Sequence, residues 1–142
     1  MKELTLKAVI ENLNQVMSFV SDEAKAMGFR KKNVMLIELA ADEIFSNIAF
    51  YAYKGCEAPG DVEIQIDEAE TEEGKEFRLT FSDSGIPYDP LSNEEPDITL
   101  SAEEREIGGL GIFLVRKKMD DVQYRYEDGK NRLLLIKKLK EE

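Results

Sequence analysis

Histidine is absent from the 142 residues, and cysteine occurs once, as Cys56. The first absence excludes Ser–His and Cys–His nucleophilic catalysis, His-ligated metals and a phosphohistidine acceptor. The second excludes an intrachain disulfide, and the two together exclude a Cys/His zinc cluster. Long apolar runs are also missing. The longest, Ile48 to Tyr53, falls far short of the ~18 residues of a membrane span. The opening Met1-Lys2-Glu3-Leu4-Thr5 lacks the apolar stretch of a signal peptide, so a cytoplasmic location with no membrane partner is expected. Positive charge is scarce: 19 basic against 30 acidic residues leave a net charge of −11. A field of that sign repels phosphate backbones and argues against direct nucleic-acid binding, yet it leaves room for a phosphate site built from local donors.

What is present describes a globular chain. Hydrophobic residues make up 42% and charged residues 35%, a balance that predicts one domain over 1–142 around a single core. Leu4 to Ala8 alternates apolar and polar, as a half-buried strand does. From Val9 the period lengthens. Ile10, Leu13, Val16, Met17, Val20, Ala24 and Met27 mark an amphipathic helix, with Gly28 at the place of a C-cap. Asn33 is the expected N-cap of a second helix, Val34 to about Tyr53. Two alternating runs follow, with Val62, Ile64 and Ile66 on one face of the first and Phe77, Leu79 and Phe81 on one face of the second. The acidic stretch Asp67 to Gly74 reads as the solvated tip of their hairpin. Residues 84–107 carry three prolines and little regular pattern, except for a capping box at Ser101 to Glu104. A short helix beginning near Ile112 and two strands turned around Asp128-Gly129 complete the chain. The order β-α-α-β-β-loop-α-β-β predicts an α+β two-layer sandwich, with a mixed, mainly antiparallel sheet covered by three helices on one face.

Three groups of residues break these patterns. On the second helix, Leu36, Leu39, Ala40, Ile44, Phe50 and Tyr51 trace an apolar arc, and Glu43 and Asn47 fall in its middle, one turn apart. A buried carboxylate costs several kcal/mol unless it is paired or ligated. The two residues are therefore either a helix–sheet hydrogen-bond network or the floor of a pocket, with a base and a hard-cation ligand. Asp83-Ser84-Gly85-Ile86-Pro87 ends a strand. It is either a turn or a carboxylate set to accept a hydrogen bond from a ligand amine, with Gly85 admitting close approach. Gly108-Gly109-Leu110-Gly111 opens a helix and is either a flexible or tightly packed junction, or a site where free N–H groups and the helix dipole favour anions. Its glycine spacing is neither that of a P-loop nor that of a dinucleotide fingerprint.

The order of all three resembles the N, G1 and G2 boxes of the GHKL ATPase superfamily, with its Bergerat ATP-binding fold. Within it, the chain is most similar to the anti-sigma-factor serine/threonine kinases. The likeness extends from the first strand to the last, and it includes the Asp83 to Pro90 stretch and Met119-Asp120 after the third helix. The resemblance implies that Asn47 ligates Mg²⁺ on the ATP phosphates and that Glu43 is the general base. It implies that Asp83 accepts from the adenine amino group above Gly85, while Gly108, Gly109 and Gly111 form the phosphate-binding turn beneath a lid at about 84–107. It further implies a homodimer that binds ATP or ADP, a sigma factor and a STAS-type anti-anti-sigma protein phosphorylated on Ser or Thr.

Three positions depart from that pattern. Ile107 stands where these kinases carry an Arg reaching the γ-phosphate, with Arg105 two residues upstream. Gly129-Lys130 replaces a Gly-Thr that helps to bind adenine, with Asn131 as a substitute polar group. Tyr51 replaces a His one turn after Asn47. The departure at Ile107 keeps a second expectation open, a non-catalytic module whose nucleotide is read by a partner. The detached catalytic half of a histidine kinase, its acceptor on another chain, is a third.

Overall fold

The computed structural model describes residues 1–92 and 109–139. Strand β1 (Lys2–Lys7) leads through a 3-10 turn (Ile10–Asn12) into helix α1 (Leu13–Met27). Gly28 caps α1 in the left-handed region, at φ 103°. Helix α2 (Lys31–Asn47) continues into a π-turn (Ile48–Ala52). The hairpin of β2 (Asp61–Thr71) and β3 (Gly74–Asp83) follows, then a 3-10 turn (Pro90–Ser92). Helix α3 (Gly109–Lys118) precedes a second hairpin, β4 (Asp121–Glu127) and β5 (Lys130–Leu139). Asp128 and Gly129 both adopt positive φ in its two-residue turn, as the twist of a tight hairpin requires.

The strands form one sheet in the order β1-β2-β3-β5-β4. Side chains alternate between its faces, so register decides what meets in the core. One row runs Leu4, Ile64, Phe81, Leu133, Tyr124, and the next runs Leu6, Val62, Asp83, Asn131, Tyr126. The buried residues of α1, α2 and α3 join the apolar members of this face in one core cluster. Residues of the opposite row, Glu63, Ser82 and Arg132, stand on the other face. There Lys130 Nζ pairs with Glu63 at 2.6 Å, and Arg132 donates to Ser82 Oγ at 3.2 Å.

Five expectations need correction or fall out of view. Every neighbouring strand pair is antiparallel, so the sheet is wholly antiparallel rather than mixed. The two strands joined through α3, β3 and β4, do run the same way, but β5 lies between them. Helix α2 begins at Lys31, with extended Arg30 as its N-cap, so Asn33 lies inside the first turn. Phe29 and Val34, both buried, occupy the N′ and N4 positions of a hydrophobic staple, which sets the start in place of an N-cap side chain. The stretch Asp67 to Gly74 is mostly strand, with a turn of only Glu72 and Glu73. Lys75 bridges Glu68 at 3.1 Å, and Lys138 pairs with Glu73, so two of the acidic side chains have cationic partners.

The apolar arc on α2 was phased wrongly. The buried residues are Val34, Ile37, Ala40, Ala41, Ile44 and Phe45, with Ile48 beyond, while Leu39 and Phe50 are exposed. Those two exposed apolar side chains had drawn the apparent centre round the helix. Glu43 and Asn47 consequently lie on the flank of the buried face, half-buried, and not at its middle. The capping box at residues 101–104 lies outside the described residues.

Candidate functional site

The core row that pairs Asp83 with Asn131 ends at a cavity of about 360 Å³. The π-turn after α2, the end of β3, Ile86 to Tyr88 with Pro90, Ile112 of α3, and Tyr124 and Leu133 enclose it. Its lining is apolar and aromatic apart from Asn47, Asp83 and Asn131. A largely apolar cleft of roughly 300–1,000 Å³ with a few convergent polar groups is the usual form of a small-molecule site.

Asp83 is 6% exposed. Its Oδ1 accepts from the Gly85 N–H at 2.9 Å and from Asn131 Nδ2 at 3.0 Å, whereas Oδ2 accepts no hydrogen bond from the described residues. Burial pushes the carboxyl above its ordinary range, and the two donors oppose that shift without cancelling it. Gly85 lies against the π-turn: a Cβ there would overlap the Ala52 carbonyl. That carbonyl accepts from the Ile86 N–H at 3.0 Å. Ala52 ends the helical segment, so its carbonyl has no partner within that segment.

Tyr53 fixes the same corner from outside. Its hydroxyl donates to the Asp61 carbonyl at 2.5 Å and accepts from the Ser84 N–H at 2.9 Å. Its ring occupies the space that a side chain at residue 60 would need. The hydroxyl thus joins the end of the helical segment, the start of β2 and the residue after Asp83.

Glu43 lies one turn before Asn47 and beside α3. A Cβ on Gly111 would strike the Glu43 carboxylate, so a side chain at residue 111 would push that carboxylate aside. Burial, and secondarily the neighbouring Asp42 charge, raise the Glu43 carboxyl above its usual range. Gly109 begins α3. Gly108, Ile107 and Arg105 lie outside the described residues, as does most of the segment read as a lid. Among the described residues no group of three or more His, Cys, Asp or Glu side chains could hold a metal ion. A cation here would therefore depend on Asn47 together with the oxygens of a ligand and water.

The structure thus brings Asn47 and Asp83 to one cavity, puts Gly85 beneath its rim, and joins Glu43 to Gly111 beside it. Tyr51 lines the cavity as well. Lys130 points to the opposite face, toward Glu63, and Asn131 supplies the polar group on the cavity side. The roles of Tyr53 and Tyr124 were not legible in the sequence. Each is an ordinary aromatic in an apolar pattern, and only its hydroxyl's partners distinguish it.

A carboxylate-floored apolar cavity thus lies beside a helix that carries Glu43 and Asn47, on an α+β sandwich. Residues 6–137 match the model of the histidine kinase-like ATPase domain, and the chain belongs to that family. It is 32% identical over 114 residues to the serine-protein kinase RsbW of Listeria monocytogenes, covering 78% of this chain and 69% of that protein. It is also 32% identical over 100 residues to the serine/threonine-protein kinase BtrW of Bordetella bronchiseptica, covering 70% and 66%. Among solved structures, the RsbU and RsbW domains of a Mycobacterium tuberculosis protein superpose with a TM-score of 0.62 at 15% identity, over 98% of this chain and 33% of that one. No described helix is long and apolar enough to cross a membrane.

Proposed function

We propose that the chain is an ATP-binding anti-sigma regulatory factor that transfers the γ-phosphoryl group of ATP to a Ser or Thr of a STAS-type anti-anti-sigma protein. The observation that carries this reading is the continuity of the two half-sites. An apolar cavity floored by Asp83 adjoins the Glu43–Gly111 contact through Asn47, in a chain of the ATPase family whose relatives are named serine kinases.

Asp83 Oδ2 would accept from the adenine amino group, with Gly85 letting the base approach. Asn47 would contribute its amide oxygen to Mg²⁺, which when bound supplies countercharge for the phosphates. Gly109 and Gly111, with Gly108 before them, would offer backbone N–H groups to those phosphates. Glu43 would take the proton of the partner's Ser or Thr hydroxyl as its oxygen bonds to the γ-phosphorus, the bond to the β-phosphate oxygen breaks and ADP leaves. A carboxylate whose proton affinity is raised by burial suits that task better than an exposed one.

The decisive variant is Glu43→Ala. It should leave ATP affinity nearly unchanged by calorimetry and cut phosphoryl transfer to a STAS-type partner by about 10²–10⁴-fold. Full turnover in the variant would overturn the assignment of Glu43. A second reading, a nucleotide-dependent binding module without transfer, is favoured by Ile107 at the place of the family's γ-phosphate Arg. It predicts wild-type ATP binding with no transfer to any STAS-type partner.

A further inference from the structure

We infer that Asn131 is a positioning residue for nucleobase recognition: its amide holds Asp83 and residues 86–88 so that Asp83 Oδ2 remains the cavity's acceptor for an exocyclic amine. The inference rests on the nucleotide reading given above and assigns Asn131 no contact with the base itself.

All four hydrogen-bonding positions of the Asn131 side chain are used inside the protein. Nδ2 donates to Asp83 Oδ1 and to the Ile86 carbonyl, both at 3.0 Å. Oδ1 accepts from the Tyr88 N–H at 3.0 Å and from the Tyr124 hydroxyl at 2.5 Å. The Ile86 carbonyl can only accept and the Tyr88 amide can only donate, so these two backbone groups orient the amide by themselves. Nδ2 must then face Asp83. Because the two residues are direct partners in the β3–β5 register, the contact is built into the sheet.

The consequence falls on Asp83. With Asn131 and the Gly85 N–H both on Oδ1, the carboxylate cannot swing without losing two hydrogen bonds, and its remaining acceptor is Oδ2. The same amide pins Ile86 and Tyr88, which line the cavity. A residue that contacted the base directly would have to give up one of these four bonds. A residue that acts through Asp83 gives up none.

The test compares ATP with ITP, whose base carries a carbonyl oxygen in place of the exocyclic amine, by calorimetric titration of wild type, Asn131→Leu, Asn131→Thr, Asp83→Asn and the Asn131→Leu/Asp83→Asn pair. Wild type should prefer ATP, and Asn131→Leu should reduce that preference by about tenfold or more, the worth of a hydrogen bond to a charged group. Asn131→Thr retains a hydroxyl donor for Asp83 and should keep most of the preference. In the Asp83→Asn background the leucine should cost no further preference. In the free protein, an NMR titration of the Asp83 carboxyl should move upward in Asn131→Leu, because a donor is lost. General loosening would rehydrate the group and move it downward.

Wild-type preference retained in Asn131→Leu, or an equal loss in both backgrounds, overturns the positioning role while the nucleotide reading stands. A wild-type protein that binds neither nucleotide overturns both. Should Asn131→Leu fail to fold, Tyr124→Phe removes one of the two donors to Asn131 Oδ1. It is expected to lose preference in the same direction and to a smaller extent, and its retention of the full wild-type preference likewise overturns the proposal.

Discussion

At Asp83 stability and the proposed recognition of a base pull in opposite directions. Its carboxyl is buried and holds its proton above the ordinary range. The folded state therefore retains that proton where the unfolded chain has already released it. The resulting stabilisation is fully present below the unfolded value and is lost as pH rises through the folded one. Asp83→Asn removes this dependence. Its carbonyl oxygen can keep the bonds from Gly85 and Asn131, while an NH₂ group replaces Oδ2 and meets an adenine amine donor to donor. The variant should melt no lower than wild type at pH 8, with any gain vanishing toward acid, and should lose about 1.5–3 kcal/mol of ATP affinity, roughly ten- to a hundredfold. Melting curves across pH and calorimetry at pH 8 check the two halves separately. Asp83 was singled out in the sequence as the end of an alternating strand. Its partner was less apparent, because Asn131 lies 48 residues away and is joined to it only by register.

Two glycines distinguish elements that cannot yield from one that can. A Cβ at residue 85 would meet the Ala52 backbone, and one at residue 111 would meet the end of the Glu43 side chain. Backbone held in a turn has nowhere to go, so Gly85→Ala should destabilise by about 1–3 kcal/mol, read as a lower denaturation midpoint. A carboxylate can rotate aside, so Gly111→Ala should fold nearly as well as wild type yet lose about 10²-fold in phosphoryl transfer through a displaced Glu43. Equal destabilisation of both variants would contradict this contrast. The elements were mostly legible because strand alternation and the first helix's period are local signals. Helix α2 was legible as a helix but not in phase. Leu39 and Phe50 are apolar without being buried, and hydrophobicity alone cannot report which way a side chain faces.

At the scale of the whole molecule, the candidate site is where three elements meet: the sheet supplies Asp83 and Asn131, α2 supplies Glu43 and Asn47, and α3 begins at Gly109. A ligand bound across them would hold these elements together. ATP at about 100 times its dissociation constant should add about 2.7 kcal/mol of stability, seen as a rise in melting temperature. Asp83→Asn at the same ATP concentration should show a much smaller rise. No rise in wild type at saturating ATP with Mg²⁺ would remove the nucleotide site.

Local chemistry along the chain was enough to specify the strands, the first helix, the second hairpin's turn and the choice of Glu43, Asn47, Asp83 and the glycines as unusual residues. Periodicity, capping and turn preferences act over a few neighbours, so one dimension carries them. The all-antiparallel order with β5 inserted between β3 and β4, the flank position of Glu43 and Asn47, and the amide hub at Asn131 came only with the assembled fold. Each depends on which distant segments lie side by side. That is set by burying the whole apolar surface at once, a global condition that no short window of sequence contains.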